Sequence, residues 1–282
     1  MGRKDKKEKK QKRKQKKSGL TSATADRFFL YENSVQEPEA DVEFILQAFR
    51  ERSRLVPSSI REDFCGTAIT AIEWVKHDAS HTAIGVDLDV PTLAVAQQRV
   101  DERLDDEQKR RLRLIEEDVR AVKVRYVDGI LACNFSYFLF RTRDELRGYF
   151  KHASNGLKRG GLLILDAYGG SDSFTEMREP RECDGFTYIW DQDSYSPVTG
   201  HVTNYIHFKF PDGTKMKKAF VYEWRLWTLP EIQELLAEAG FQNIAVYWEG
   251  TDPKTDEGNG VWSVETTGEA DKGWVAYLVA EK

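Results

Sequence analysis

The chain has 282 residues, 40% of them hydrophobic, and a formal net charge of −5. That content can bury one large core plus an elaboration, and no run approaches the roughly 18 consecutive apolar residues of a membrane-spanning helix. Cys65, Cys133 and Cys183 are odd in number and unpatterned, which excludes a disulfide framework and a thiolate zinc site and suits a reducing, cytoplasmic setting without a secretory leader.

Charge is unevenly spread. Met1 to Lys17 carries 11 Lys and Arg against Asp5 and Glu8, a balance of +9, so the remainder of the −5 chain carries −14. With no apolar residue between Met1 and Lys17, residues 1–20 are expected to be a disordered basic tail ahead of a folded domain over 21–282. Arg3 to Lys17 could make a weak contact with RNA or another polyanion, act as an import signal, or merely solubilise the chain. The acidic remainder offers no basic track for phosphates, which argues against nucleic acid as the thing acted on.

Alternating strands and helices follow. Ser58 to Glu73, SSIREDFCGTAITAIE, reads as a strand, a tight turn at Cys65-Gly66-Thr67 and a helix. Ile84 to Asp89, IGVDLD, is a second strand ending in acids, with Asp87 about twenty residues after the turn glycine, the spacing of a ribose-binding acid. Pro91 to Arg103 is a helix by its apolar spacing. Arg111 to Asp118 is a third strand, Tyr126 to Asn134 a fourth, apolar enough to be buried on both faces, and Gly160 to Asp166 a fifth, entered from a helix over Thr142 to Leu157. Such alternation implies right-handed crossovers and a mostly parallel sheet, whose ligands bind beyond the carboxyl ends of the strands. Glu62, Asp87, Asp118, Asn134 and Asp166 all lie at or near those ends.

A dinucleotide fingerprint requires three glycines at the first turn. Here Phe64 and Ala68 stand in the first and third positions and only Gly66 remains. That pattern disfavours NAD and suits a ligand with one nucleoside and a short amino-acid arm. In the order of these pieces the chain resembles class I S-adenosylmethionine-dependent methyltransferases over roughly 41–282, departing from their acid-x-Gly-x-Gly-x-Gly loop at Phe64 and Ala68. The resemblance implies a seven-stranded, mostly parallel Rossmann-like α/β sheet and S-adenosyl-L-methionine as cofactor. By the same resemblance Glu62 and Gly66, with Phe64, Cys65 and Thr67 of the loop, lie by the methionine moiety. Asp87 holds the ribose, Leu88 packs against adenine, Asp118 accepts from the adenine amino group beside the Val119 amide, and Asn134 closes the amino-acid end.

The family's architecture also accounts for a helix over Ala40 to Arg54 covering the cofactor cleft. It accounts as well for a capped helix over Pro230 to Gly240 with Thr228 and Glu231 as a capping box, and for two last strands over Phe241 to Trp248 and Trp274 to Ala280. Between the fifth strand and the last helix, Phe186 to Gln192, His201 to Phe210 and Lys217 to Trp227 alternate in the strand period and are joined by turn signals. These predict a three-stranded antiparallel flap inserted over about 184–227, rich in Tyr and Trp, for an amphipathic or partly apolar substrate. Methyl transfer needs alignment more than a base. Tyr137, His207 and His201 are the candidates should one be used, and no metal site is expected. Asn134-Phe135-Ser136-Tyr137 lacks the Pro-Pro-aromatic tetrad of base and glutamine amide methylases. The sequence therefore points to a small-molecule acceptor, at N or O. A protein or RNA methyltransferase recruited by the tail, or a non-catalytic cofactor-binding scaffold, are the alternatives.

Overall fold

The computed structural model describes residues 19–255 and 258–282. The expected disordered tail lies outside them as far as residue 18. Twelve strands run in chain order: β1 Ser59–Asp63, β2 Thr82–Asp87, β3 Leu112–Glu116, β4 Val127–Ala132, β5 Leu157–Gly169, β6 Met177–Cys183, β7 Phe186–Tyr195, β8 His201–Lys209, β9 Lys215–Arg225, β10 Gln242–Thr251, β11 Gly258–Glu265 and β12 Trp274–Glu281. Seven α-helices accompany them: α1 Arg27–Glu32, α2 Pro38–Arg52, α3 Ile69–His77, α4 Val90–Arg103, α5 Asp106–Arg110, α6 Arg143–Gly156 and α7 Leu229–Glu238.

The chain divides into two units, the larger made of Glu37–Ser173 and Arg225–Lys282. Its sheet is ordered β11-β10-β12-β5-β4-β1-β2-β3. Every residue of β4 is buried, as a strand covered on both faces requires. β1, β2, β3, β4 and β5 pair in parallel, while β12, β10 and β11 form an antiparallel edge. The order reverses between β1 and β4, which creates the switch-point crevice where ligands of such sheets bind. Trp74 of α3 and Phe44 and Phe49 of α2 are among the buried side chains of the core, each contributing about 2–3 kcal/mol by burial. The predicted capping box is present: the Thr228 hydroxyl accepts from the Glu231 amide and the Glu231 carboxylate accepts from Thr228.

The sheet has eight strands where the sequence predicts seven. The addition, β11, is an edge strand almost wholly exposed, so it lacks the apolar alternation by which a strand is recognised.

The second unit comprises the described residues up to Gln36 and Phe174–Trp224. Its antiparallel sheet, β6-β7-β8-β9, has four strands rather than three and begins at Met177 rather than near 184. β6 reads MREPREC and carries Pro180, an edge-strand residue because it cannot donate to a ladder. Leu30 of α1 joins Phe186, Ile206, Phe208 and Phe210 in this unit's own core. Tyr222 stands 4.3 Å from Trp224 and 6.0 Å from Trp190, ring centre to ring centre.

Candidate functional site

The loop after β1 is wound through three left-handed residues, Phe64 (φ 56°), Gly66 (φ 55°) and Ala68 (φ 57°). These are the three positions at which a glycine-rich loop carries its glycines. The backbone thus keeps the geometry while two of the glycines are gone, at about 1–2 kcal/mol for each L-residue. The Phe64 ring turns to Phe140 and Tyr149, with centres 6.0 and 5.7 Å away. Cys65 and Thr67 are buried. Cys65 fits because Gly85 on β2 has no side chain: a Cβ there would lie 2.9 Å from the Cys65 sulfur.

Asp87 ends β2 and holds this loop. Its Oδ2 accepts from the Gly66 amide at 2.9 Å, and its Oδ1 accepts from the Asp89 amide at 2.9 Å. Asp89, the next acid along the chain, caps α4 by accepting from the Thr92 amide. Between them Leu88 is 67% exposed, a large apolar side chain left open beyond the end of β2.

After β3, Asp118 is gripped by Arg120, whose Nη2 lies 2.6 Å from Oδ2 and whose backbone amide donates to Oδ1 at 2.8 Å. These hydrogen bonds hold the Asp118 carboxyl below its usual range. Val119 is buried. Sequence reading missed Arg120, which stands two residues beyond the acid.

After β4, Asn134 (φ 58°) and Phe135 (φ 57°) are both left-handed. Their amides donate to the two oxygens of Asp166 at 2.7 and 2.8 Å, so this acid, three residues before the end of β5, clamps the strained loop. Four of the seven non-glycine residues with positive φ among the described residues thus sit in the loops after β1 and β4. Strain concentrated at two neighbouring strand ends is a mark of a working site. Tyr137, a candidate base, is fully buried and its hydroxyl donates to the Asp166 carbonyl at 2.7 Å. Burial and Asp166 push its pKa well above the ordinary value, so it is poorly suited to accept a proton.

The floor of the site is acidic and buried. Glu62 is buried, and its Oε2 accepts from the Ala71 amide at 2.9 Å. Burial raises its pKa to about 8, with Asp41 and Asp87 adding repulsion. Burial likewise raises Asp166 to about 7 and Asp41 to about 6. Asp41, on α2, was absent from the sequence reading. Its position in the first turn of a helix reads as ordinary complementing of the helix dipole.

The remaining candidates lie in the second unit. His207 Nδ1 accepts from the Lys218 amide at 2.8 Å, so Nε2 carries the proton and donates to Asp191 Oδ2 at 2.9 Å. Neither nitrogen has a free lone pair. His201 is partly exposed at the start of β8, and its ring has no hydrogen-bond partner among the described residues.

No protein-family profile matches the chain, and no curated protein matches it. Many solved structures do. A S-adenosylmethionine-dependent methyltransferase from Clostridium acetobutylicum is 20% identical, over 90% of this chain and 96% of that one, with a TM-score of 0.64. DesVI from Streptomyces venezuelae is 17% identical over 90% and 95%, TM-score 0.64. CalS10, an amino pentose methyltransferase from Micromonospora echinaspora, is 16% identical over 90% and 95%, TM-score 0.63. The fold is that of the class I, Rossmann-like methyltransferases.

Proposed function

We propose that this chain is a S-adenosyl-L-methionine-dependent methyltransferase acting on a small-molecule acceptor at nitrogen or oxygen. The observation that carries the reading is the rim of the larger unit. There a three-point left-handed loop, an acid hydrogen-bonded to that loop and an exposed leucine follow one another at the ends of β1 and β2. The exposed Leu88 beside Asp87 offers an apolar face to a ligand ring.

The residues fit such a cofactor. Leu88 offers an apolar face for adenine, Asp87 a carboxylate for the ribose, and the loop from Phe64 to Thr67 a turn that leaves room for the amino-acid arm. Glu62 lies at the cationic end, and Asp118 with the buried Val119 at the adenine edge. Asn134, held by Asp166, closes the far side. When bound, the cofactor supplies an electrophilic methyl group whose leaving group is a neutral thioether. The chain's own part is to exclude water, to place a neutral nucleophile in line and to hold positive charge near Glu62. With Tyr137 and His207 both engaged, an amine that enters already neutral is the acceptor best served.

Amino-sugar substrates of structural neighbours, such as the amino pentose of CalS10 and the sugar of KedS8, a sugar N-methyltransferase, support an amine on a small polar ring. Contact of the basic tail with a polyanion remains a separate proposal about where the enzyme resides. The test is turnover of methyl-labelled S-adenosylmethionine by the full chain against a panel of amino sugars, small amines and hydroxylated rings, with protein and RNA as comparison acceptors. Acceptor-dependent release of S-adenosylhomocysteine with a small amine is the expected result. Turnover confined to protein or RNA would overturn it.

A further inference from the structure

β1 is flanked by β4 and β2, and its last four residues are buried. A strand in that setting is expected to be apolar, yet β1 ends Arg61-Glu62-Asp63. Side chains alternate along a strand, so Arg61 and Asp63 share the face opposite Glu62. Arg61 Nε donates to Asp63 Oδ1 at 2.7 Å, and its Nη2 donates to Oδ2 at 2.8 Å. The Tyr149 hydroxyl of α6 donates to the same Oδ2 at 2.9 Å. All three residues are buried. Gly156 at the end of α6 makes room for the guanidinium, since a Cβ there would lie 2.8 Å from Arg61 Nη1.

Stability alone does not account for this triad. Apolar replacements of a buried ion pair are often neutral or stabilising, because desolvation offsets the attraction. Arg61 Nη1 is also buried without a hydrogen-bond partner among the described residues, a further cost. Both Asp63 oxygens are engaged within the protein, so what the triad supplies is a fixed position. The residue it fixes is the next one. Phe64 follows Asp63 directly and stands at φ 56°. The Tyr149 ring packs against Phe64 and Phe140, with centres 5.7 and 5.3 Å away. Tyr149 therefore holds both sides of the Asp63–Phe64 link, its hydroxyl the acid and its ring the left-handed residue. A non-glycine residue in that region persists only where its surroundings over-determine it.

We propose that Arg61, Asp63 and Tyr149 are positioning residues that hold Phe64 left-handed and so keep the loop after β1 in the shape that receives the cofactor's amino-acid arm. This rests on the reading of the site as a S-adenosylmethionine site. The triad stands in for what glycine supplies in a glycine-rich loop, access to positive φ without strain. Released from it, an L-residue favours right-handed backbone by a factor of about 5–30. The apparent affinity of a ligand that needs the left-handed loop falls by the same factor.

The experiment is calorimetric titration of the full chain with S-adenosylmethionine and with 5′-methylthioadenosine, which keeps the nucleoside and lacks the amino-acid arm. Arg61→Leu/Asp63→Leu/Tyr149→Phe removes the triad as a unit and leaves none of its polar groups without a partner. Its melting temperature should match or exceed that of the wild type. S-adenosylmethionine should nevertheless bind about 5–30-fold more weakly, and methylthioadenosine should change less than about twofold. Adding Phe64→Gly should restore S-adenosylmethionine to within about threefold of Phe64→Gly alone, because glycine needs no support at positive φ. Tyr149→Phe by itself keeps the ion pair and the ring, and it decides the matter if the triple variant does not fold. It should weaken S-adenosylmethionine at least about threefold in the wild type and less than about twofold beside Phe64→Gly. Unchanged S-adenosylmethionine affinity in these variants, equal weakening of both ligands, or a loss that Phe64→Gly leaves in place would overturn the proposal and leave the cofactor site standing. A wild type that binds neither ligand would overturn both.

Discussion

The Gly66 amide donates to Asp87 Oδ2 at 2.9 Å, so the acid ending β2 fastens the loop that leaves β1. One side chain thereby shapes the turn proposed to receive the cofactor's arm and stands where the ribose is expected. Asp87→Ala loses both hydrogen bonds to the main chain, from the Gly66 and Asp89 amides, and should lower stability by about 1–3 kcal/mol, read by urea denaturation. Asp87→Asn keeps one acceptor and should lose less.

The left-handed positions make an unusual glycine prediction. Ala68 sits at φ 57°, where L-residues are strained, whereas Ala71 lies inside α3. Ala68→Gly should change stability by less than about 1 kcal/mol, since relief of strain offsets the added chain entropy and the lost methyl. Ala71→Gly should cost about 1 kcal/mol or more. Gly66→Ala meets no atom within 4 Å of its new Cβ, so its cost should be limited to backbone strain of about 1–2 kcal/mol. Thermal unfolding of the three variants checks the order.

Stability should fall as pH rises through neutrality. Asp41, Asp166 and Glu62 have folded pKa values of about 6, 7 and 8, all above their unfolded values. The folded ligand-free chain therefore binds more protons than the unfolded chain between about pH 4 and 8, and the slope of unfolding free energy with pH is negative there. This contribution is full near pH 4 and lost by about pH 8. Asp128 behaves oppositely: Lys158 and the Ser58 and Ser59 donors lower its pKa to about 2, so its share is present above about pH 4 and lost toward pH 2. Melting temperatures at constant ionic strength from pH 5 to 8.5 should decline. A rise over that range would contradict the burial of the three acids.

Tyr137→Phe removes the hydrogen bond to the Asp166 carbonyl and should cost about 1 kcal/mol. If the hydroxyl serves only structure, the pH profile of turnover should keep its shape. A lost limb in that profile would instead make Tyr137 a proton acceptor.

The legible parts of this fold were those that obey a period or a spacing. Gly66 and Asp87 stood out because a turn glycine and an acid about twenty residues later have a geometric reason to be so placed, and the structure joins them by a hydrogen bond. The apolar run of β4 identified the central strand. What escaped were elements that hide their pattern. β11 exposes nearly every side chain, and β6 carries Pro180 among charges. Phe64 and Ala68 look like departures from a glycine loop, and only backbone angles reveal that the loop is conserved in shape. Asp41 and Arg120 matter through partners distant in sequence or assembled locally in a turn, and no period marks them.

The central claim is tested most directly by titrating the full chain with S-adenosylmethionine beside Asp87→Ala, with NAD as control and circular dichroism to show that both proteins are folded. Saturable binding in the micromolar range by the wild type, weakened at least about tenfold in the variant and absent with NAD, is the predicted result. A folded wild type that ignores S-adenosylmethionine, or binds it equally well without Asp87, would contradict the account.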